Sequence, residues 1–381
     1  MTNTTTTEPA TEAPASAAEN AADGTVAEES APVDEAALMD LLHHFVGDLG
    51  ATVGAGAVVV GDSLGLYRAL SAGRQTPDQL AAATGTAPRY IEEWLRGQAA
   101  GGYVQYDAES GRYSMTPEQI FALTDPDGTL FLPGAFQLAL GTLASVPRAI
   151  GAFRTGEGIG WKDQDADVFV GCERFFRPGY AANLVSSWIP ALDGVEARLH
   201  AGGRVADIGC GLGASTILMA KAYPEAAISG SDYHAASVEL ARRRAAEAGV
   251  ADRVGFEIAG ADDFGGGPYD LVTTFDCLHD LGDPVGAARN VREQLNDDAT
   301  WMIVEPMAGD TVESNLNPVG RVYYGFSTFL CVPNAVSQGG TRTLGAQAGE
   351  AAIRAVTEEA GFTRFRRVAE TPFNLVFEVK A

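Results

Sequence analysis

The stretch Asp207-Ile208-Gly209-Cys210-Gly211-Leu212-Gly213 constrains this chain more than any other. It follows an apolar run (Val205, Ala206, Ile208) and opens a helix-like segment from Ala214 to Lys221. A strand that turns through glycines into a helix brings bare backbone N–H groups up to a ligand. The next apolar run, Ala226-Ala227-Ile228, ends at Asp232, where a carboxylate suits the two hydroxyls of a ribose. From Gly203 onward the pattern predicts strands at 204–209, 226–232, 254–260, 269–277 and 299–305, with helices after the first, second and fourth. Such alternation implies a doubly wound, mostly parallel sheet. A helix at 346–360 and two β-runs, 364–370 and 373–379, complete the chain. Only Thr371-Pro372 joins the last two runs, which demands antiparallel pairing. The expected fold class is therefore α/β, Rossmann-like, with an antiparallel C-terminal hairpin.

Two cofactor classes compete for the glycine turn. Gly209, Gly211 and Ala214, with Asp232 further on, fit the dinucleotide fingerprint. S-adenosylmethionine (SAM) has the ribose and adenine but no pyrophosphate, and it carries a cationic amino group. Asp207 places an anion beside the turn, which favours a cation and repels a pyrophosphate. The pattern D-x-G-x-G-x-G resembles the first motif of class I SAM-dependent methyltransferases.

Four further segments offer chemistry. Asp262, Asp263 and Phe264 follow the third strand, where an acid can accept from an adenine amine and a ring can stack on it. Phe275-Asp276-Cys277-Leu278-His279-Asp280 ends the fourth strand, at the edge where open α/β sheets bind ligands. His279 can take a proton near neutral pH, with Asp280 adjacent. Glu305 ends the apolar fifth strand, where a carboxylate is costly to bury without a partner. Hydrogen-bonded to His279, it forms a base-plus-orienter pair. Tyr180, Tyr323, Tyr324 and Phe326 are placed to line an apolar acceptor pocket.

Composition bounds the remaining classes. Residues 1–34 are Thr, Ala, Glu, Pro and Ser with few large apolar side chains, the signature of a disordered tail. Residues 35–120 read as helix, turn, helix and small hairpin, a mainly helical winged-helix domain; 121–200 form a helical bridging segment; 201–381 hold the cofactor domain. Across 62–117 five arginines face six acids with no lysine, and the whole chain carries −24. Phosphate contact needs a basic face, so nucleic acid is an improbable partner and a structural, dimerising role is expected. The four cysteines are scattered and the histidines lack ligand spacing, so no metal is expected. Free thiols, no run of about 18 apolar residues and no signal-like start point to a cytoplasmic protein that does not cross membranes.

Taken together, residues 35–381 resemble the small-molecule O-methyltransferases that join an N-terminal winged-helix dimerisation domain to a class I SAM domain. Details of the motifs resemble a group of actinobacterial methyltransferases. The resemblance assigns Asp207, Gly209, Gly211 and Gly213 to the SAM glycine loop, Asp232 to the ribose and Asp262 with Phe264 to the adenine. It aligns Leu278-His279-Asp280-Leu281-Gly282-Asp283 with the family motif whose histidine is the base, and Glu305 with an acid flanking that base. Leu281 replaces the motif's tryptophan, and the second flanking acid falls near Gln347. The resemblance implies a SAM-dependent methyltransferase acting on a small molecule at oxygen, working as a homodimer. A dinucleotide oxidoreductase and a DNA-binding regulator are the competing readings.

Overall fold

The computed structural model describes residues 32–340 and 342–381, so the expected tail lies almost wholly outside the described residues. Two compact units divide between Asp48 and Leu49, inside one helix, Glu35–Ser63. In the first unit Asp34 caps that helix, accepting from the N–H groups of Ala36 and Ala37 at 2.8 and 3.2 Å. Leu38, Met39, Leu41, Leu42, Phe45 and Val46 are all exposed there. By length and composition alone this helix is long and apolar enough to cross a membrane. Its alanines and glycines sustain an apolar average that no unbroken run of large side chains reveals.

The second unit opens with the winged-helix arrangement. Thr76 and Gln79 form the predicted capping box at the start of helix Pro77–Thr84, closing two orphan N–H groups. Helix Pro88–Ala100 turns Ile91, Trp94 and Leu95 inward. Strands β1 (Gln105–Asp107) and β2 (Arg112–Ser114) pair antiparallel as the wing.

The main sheet contains β3 (Arg204–Ile208), β4 (Ala227–Asp232), β5 (Val254–Ile258), β6 (Tyr269–Phe275), β7 (Leu295–Pro306), β8 (Arg364–Glu370) and β9 (Asn374–Lys380). Their order is β5-β4-β3-β6-β7-β9-β8. Strands β3 to β7 run parallel, while β9 pairs antiparallel with both β7 and β8. The period-two alternation of each strand supplies both faces of the sheet. Val205, Leu271, Met302 and Val304 pack with Tyr180, Leu184 and Trp188 on one face. Ala206, Val272, Trp301 and Ile303 pack with Val285, Val291 and Ile353 on the other. Crossovers leave β3 toward β4 and return to β6, so the strand order reverses between β3 and β6. That reversal opens a crevice at their C-terminal ends.

Candidate active site

A cavity fills this crevice. Its floor is the turn after β3, with Gly209, Cys210, Gly211 and Leu212. Gly209, Gly211 and Gly213 all adopt positive φ, at +68°, +52° and +82°. A Cβ on Gly209 would strike Cys277 Sγ, so the turn needs glycine for space as well as for conformation. Gly213 does not line the cavity. A Cβ there would press on Ala241 and Phe256, so this glycine serves helix-to-sheet packing.

Asp232, at the end of β4, lines the cavity and is 8% exposed. It accepts from the N–H groups of Gly211 at 3.0 Å and His234 at 2.8 Å. Burial pushes its pKa up, against those two hydrogen bonds. Asp232 thus braces the glycine turn while presenting a carboxylate to the cavity.

Asp207 is placed differently from the sequence expectation. It is fully buried and lines no part of the cavity. Its Oδ2 accepts from Ser215 at 2.7 Å and Thr216 at 2.6 Å, and its Oδ1 from Thr273 at 2.8 Å. These bonds tie β3 to the following helix and to β6, a bracing role beneath the turn rather than a place on the cavity wall. The three residues after β5 also move out of the expected role. Phe264 is 2% exposed in the core on the far side of the sheet, and Asp262 and Asp263 point to solvent, Asp263 accepting from Gly260 N–H. The cavity wall there is Ala259, Gly260 and Ala261.

The end of β6 carries the densest chemistry. Asp276 has φ +47°, the one positive value outside glycine among the described residues. Aspartate tolerates this conformation better than most residues, and strain of this kind concentrates at functional sites. Its carboxylate lines the cavity and accepts from Tyr180 Oη at 2.7 Å and Asn374 Nδ2 at 3.0 Å. Burial raises its pKa to about 7, the Tyr180 hydrogen bond opposing. Phe275 beside it also lines the cavity.

The raised pKa has a consequence for stability. Between about pH 4 and pH 7 the folded state holds a proton that the unfolded state has released, so stability falls as pH rises. One such group contributes a slope of about 1.4 kcal/mol per pH unit. Asp276→Asn is expected to lack that component, so urea denaturation of the two proteins should diverge steadily from pH 5 to 7. Parallel curves would remove the assignment.

His279 is 3% exposed and Glu305 3% exposed. Glu305 Oε2 lies 2.6 Å from His279 Nδ1, and Glu305 Oε1 accepts from Leu278 N–H at 3.0 Å. The carboxylate at the end of β7 is thus paired, as its burial requires. It lies behind the imidazole and out of the cavity, which His279 and Asp280 line. His279 Nε2 sits 3.2 Å from Asp280 Oδ1. Burial opposes a charged imidazole here, but Glu305 and Asp280 outweigh it and hold the His279 pKa well above the ordinary range. The loop is fixed from outside, since Asn334 Nδ2 and Gln338 Nε2 both donate to the Asp280 carbonyl.

Tyr180, Tyr323 and Phe326 line the cavity; Tyr324 instead borders a separate groove with Phe153 and Gln347. Gln347 donates to the Met307 and Ala346 carbonyls and does not line the His279 cavity. Sequence reasoning missed Trp161, Phe169, Asn334 and Gln338, which line the cavity from helices distant in sequence. The Phe- and Trp-rich composition of 121–200 is the sequence signal for the first two.

Comparisons with known proteins agree with this architecture. Residues 199–333 match the model of a methyltransferase domain, and residues 53–125 that of a Rv2258c-like winged HTH domain. An uncharacterised Synechococcus protein is 36% identical over 83 residues, 21% of this chain and 20% of that protein. The chain therefore aligns with only a fifth of that relative's length. Among solved structures, the mitomycin 7-O-methyltransferase MmcR superposes with TM-score 0.65 at 18% identity, over 91% of this chain and all of that one. Human N-acetylserotonin methyltransferase, in complex with SAM, gives 0.62 at 16% identity over 91% and 98%. The O-methyltransferase NcsB1 from neocarzinostatin biosynthesis, in complex with S-adenosylhomocysteine (SAH) and 1,4-dihydroxy-2-naphthoic acid, gives 0.58 at 18% identity over 86% and 96%. This chain thus carries a methyltransferase domain over 199–333, preceded by a winged helix-turn-helix domain over 53–125.

Proposed function

We propose that the protein transfers a methyl group from SAM to a hydroxyl of a small, largely apolar acceptor, with His279 as general base. The observation that carries this reading is the charge of the cavity. Asp232 and Asp276 line it with no ion-pair partner among the described residues, Glu173 is taken up by Arg177 and Arg244 and Asp280 by His279, and no lysine or arginine lines the cavity. An anionic cavity attracts a sulfonium and an ammonium and repels a pyrophosphate. The argument against a dinucleotide, first made on Asp207, therefore rests on Asp232 and Asp276.

The residues present fit the donor. Asp232 would hold the ribose, the Gly209–Leu212 turn would pass beneath the amino-acid portion, and Ala259, Gly260 and Ala261 would face the adenine. Asp276 is the buried carboxylate suited to the ammonium. When bound, SAM supplies an activated methyl group on a sulfonium. The protein's part is to align the acceptor hydroxyl, exclude water with Phe176, Tyr180 and Phe326, and accept the hydroxyl proton at His279 Nε2. Glu305 keeps the proton of the neutral imidazole on Nδ1, which leaves Nε2 free to act.

The test is calorimetric titration with SAH. Micromolar binding is expected, and Asp232→Ala should weaken it at least tenfold by removing the ribose acceptor and the brace on Gly211. NADH should give no heat. Binding of NADH in preference to SAH would replace this function with oxidoreduction.

Self-association is the accompanying proposal. It rests on the apolar side chains exposed along Glu35–Asp48, which carry more contiguous apolar surface than a lone helix usually presents to water. Sedimentation equilibrium should return twice the chain mass, and a monomer at tens of micromolar would end the idea. A DNA-binding role is disfavoured by the pairing on helix Pro88–Ala100. Arg89 meets Glu92 and Glu93 there, and Arg96 meets Glu92, so neither cation is free for phosphate.

A further inference from the structure

We propose that His279, Asp280 and Cys331 form a binding site for a thiophilic divalent cation, zinc in the first place, with one coordination position open to the cavity. One donor atom from each residue lies within 4.8 Å of the other two, and all three residues line the cavity. Nothing in their spacing announces this. Cys331 is brought in by a π-helical turn, Ser327–Cys331, of the kind that recurs at functional sites.

The donors fit zinc in kind and distance. Tetrahedral zinc takes nitrogen and oxygen at roughly 2.0–2.2 Å and sulfur at about 2.3 Å, so neighbouring donors sit roughly 3.3–3.8 Å apart. The pair His279 Nε2 and Asp280 Oδ1, at 3.2 Å, already stands at that spacing. A thiolate, an imidazole and a single carboxylate select zinc over magnesium or calcium, which prefer all-oxygen shells.

A second observation points to a ligand. Asp280 Oδ1 is buried with no partner beyond the His279 ring, 3.2 Å away, and the neighbouring Cys331 thiol. Glu305 takes Nδ1, so Nε2 is the ring atom turned toward this oxygen, and a proton held between the two is the one a metal would displace. Two acceptors beside a thiol are a place for a cation, whether a proton or a metal. Glu305 behind His279 is also the outer carboxylate that metal-bound histidines regularly have. Zinc uptake expels the Cys331 thiol proton and any proton on Nε2. Thiolate and carboxylate then neutralise the 2+ charge, and the fourth position takes water or an oxygen ligand from the cavity.

The site stands whether or not the chain transfers methyl groups. Its consequence for turnover rests on the proposed function. Zinc occupies Nε2, the atom assigned as base, so zinc loading should stop transfer and a chelator should restore it.

Cobalt(II), a spectroscopic substitute for zinc, tests the site in the full-length protein. Stoichiometric cobalt is expected to produce a thiolate-to-metal charge-transfer band with tetrahedral visible bands, and one equivalent of zinc should abolish them. Cys331→Ser should remove the thiolate band, Asp280→Asn should weaken zinc binding at least tenfold, and Cys172→Ser should leave the spectrum intact. Circular dichroism and SAH calorimetry on each variant establish that it is folded. Absence of the band in the native chain, or its survival in Cys331→Ser, overturns the proposal. SAH binding without the cobalt band removes the metal site alone. The cobalt band without SAH binding removes the methyl-transfer reading alone.

Discussion

Replacing His279 by alanine should slow methyl transfer by about 10²–10⁴-fold while leaving SAH affinity within a few-fold of native, the range for loss of a positioned general base. The split follows from the geometry. His279 lines the cavity at the end of β6, whereas the turn Gly209–Leu212 and Asp232 belong to β3 and β4. The pH dependence gives a second readout. Glu305 and Asp280 hold the imidazole pKa well above the ordinary range, against burial. Only the neutral ring accepts a proton, so native turnover should climb as pH rises through that raised pKa. A cation bound in the same cavity makes the second positive charge harder to keep and shifts the climb to lower pH. The alanine variant should lose both the rate and the climb. Single-turnover rates measured from pH 6 to 10 with a phenolic acceptor check this, and an unchanged rate at every pH removes His279 from the mechanism.

The fold was legible because its signals are local. Short apolar runs at Val205–Ile208 and Met302–Glu305, the glycine turn and the two-residue link Thr371-Pro372 each fix an element with little help from elsewhere. Asp232, His279 and Glu305 were legible too, because a polar residue closing an apolar strand needs a partner or a purpose. Asp207 misled for the same reason. Its partners, Ser215, Thr216 and Thr273, are small hydroxyls that carry no charge signal, and only the packed structure shows all three turned onto one carboxylate. Phe264, expected to stack on the adenine, sits in the loop between β5 and β6 and is captured by the core instead. The residues that complete the cavity, Trp161, Phe169, Cys331, Asn334 and Gln338, come from helices far from the strands in sequence. Each looks like ordinary helix filling until tertiary packing places it. Local pattern therefore located the crevice, and long-range packing decided which side chains face it.

Glu305→Ala should be costly in two separable ways. It strands His279 Nδ1 and the Leu278 N–H, both buried and both now satisfied by this carboxylate. Removing one partner of a buried pair typically costs 3–5 kcal/mol, so a large fall in the denaturation midpoint is expected. That loss alone is what a purely structural residue would show. Glu305→Gln separates the roles, because the amide keeps the volume and one oxygen while removing the charge. An acceptor oxygen toward Nδ1 leaves the amide nitrogen against Leu278 N–H, and the reverse placement sets a donor against Nδ1 and favours the wrong tautomer. The His279 pKa should also drop, since Glu305 is the leading contribution raising it. If Glu305 is a positioning residue, Glu305→Gln should move the rising limb of the pH–rate profile to lower pH. At the same time its plateau should fall by two orders of magnitude or more, as expected for a misdirected tautomer. A variant that is merely less stable, with native plateau and native pH limb, would confine Glu305 to folding. That outcome would leave His279 to act with Asp280 alone.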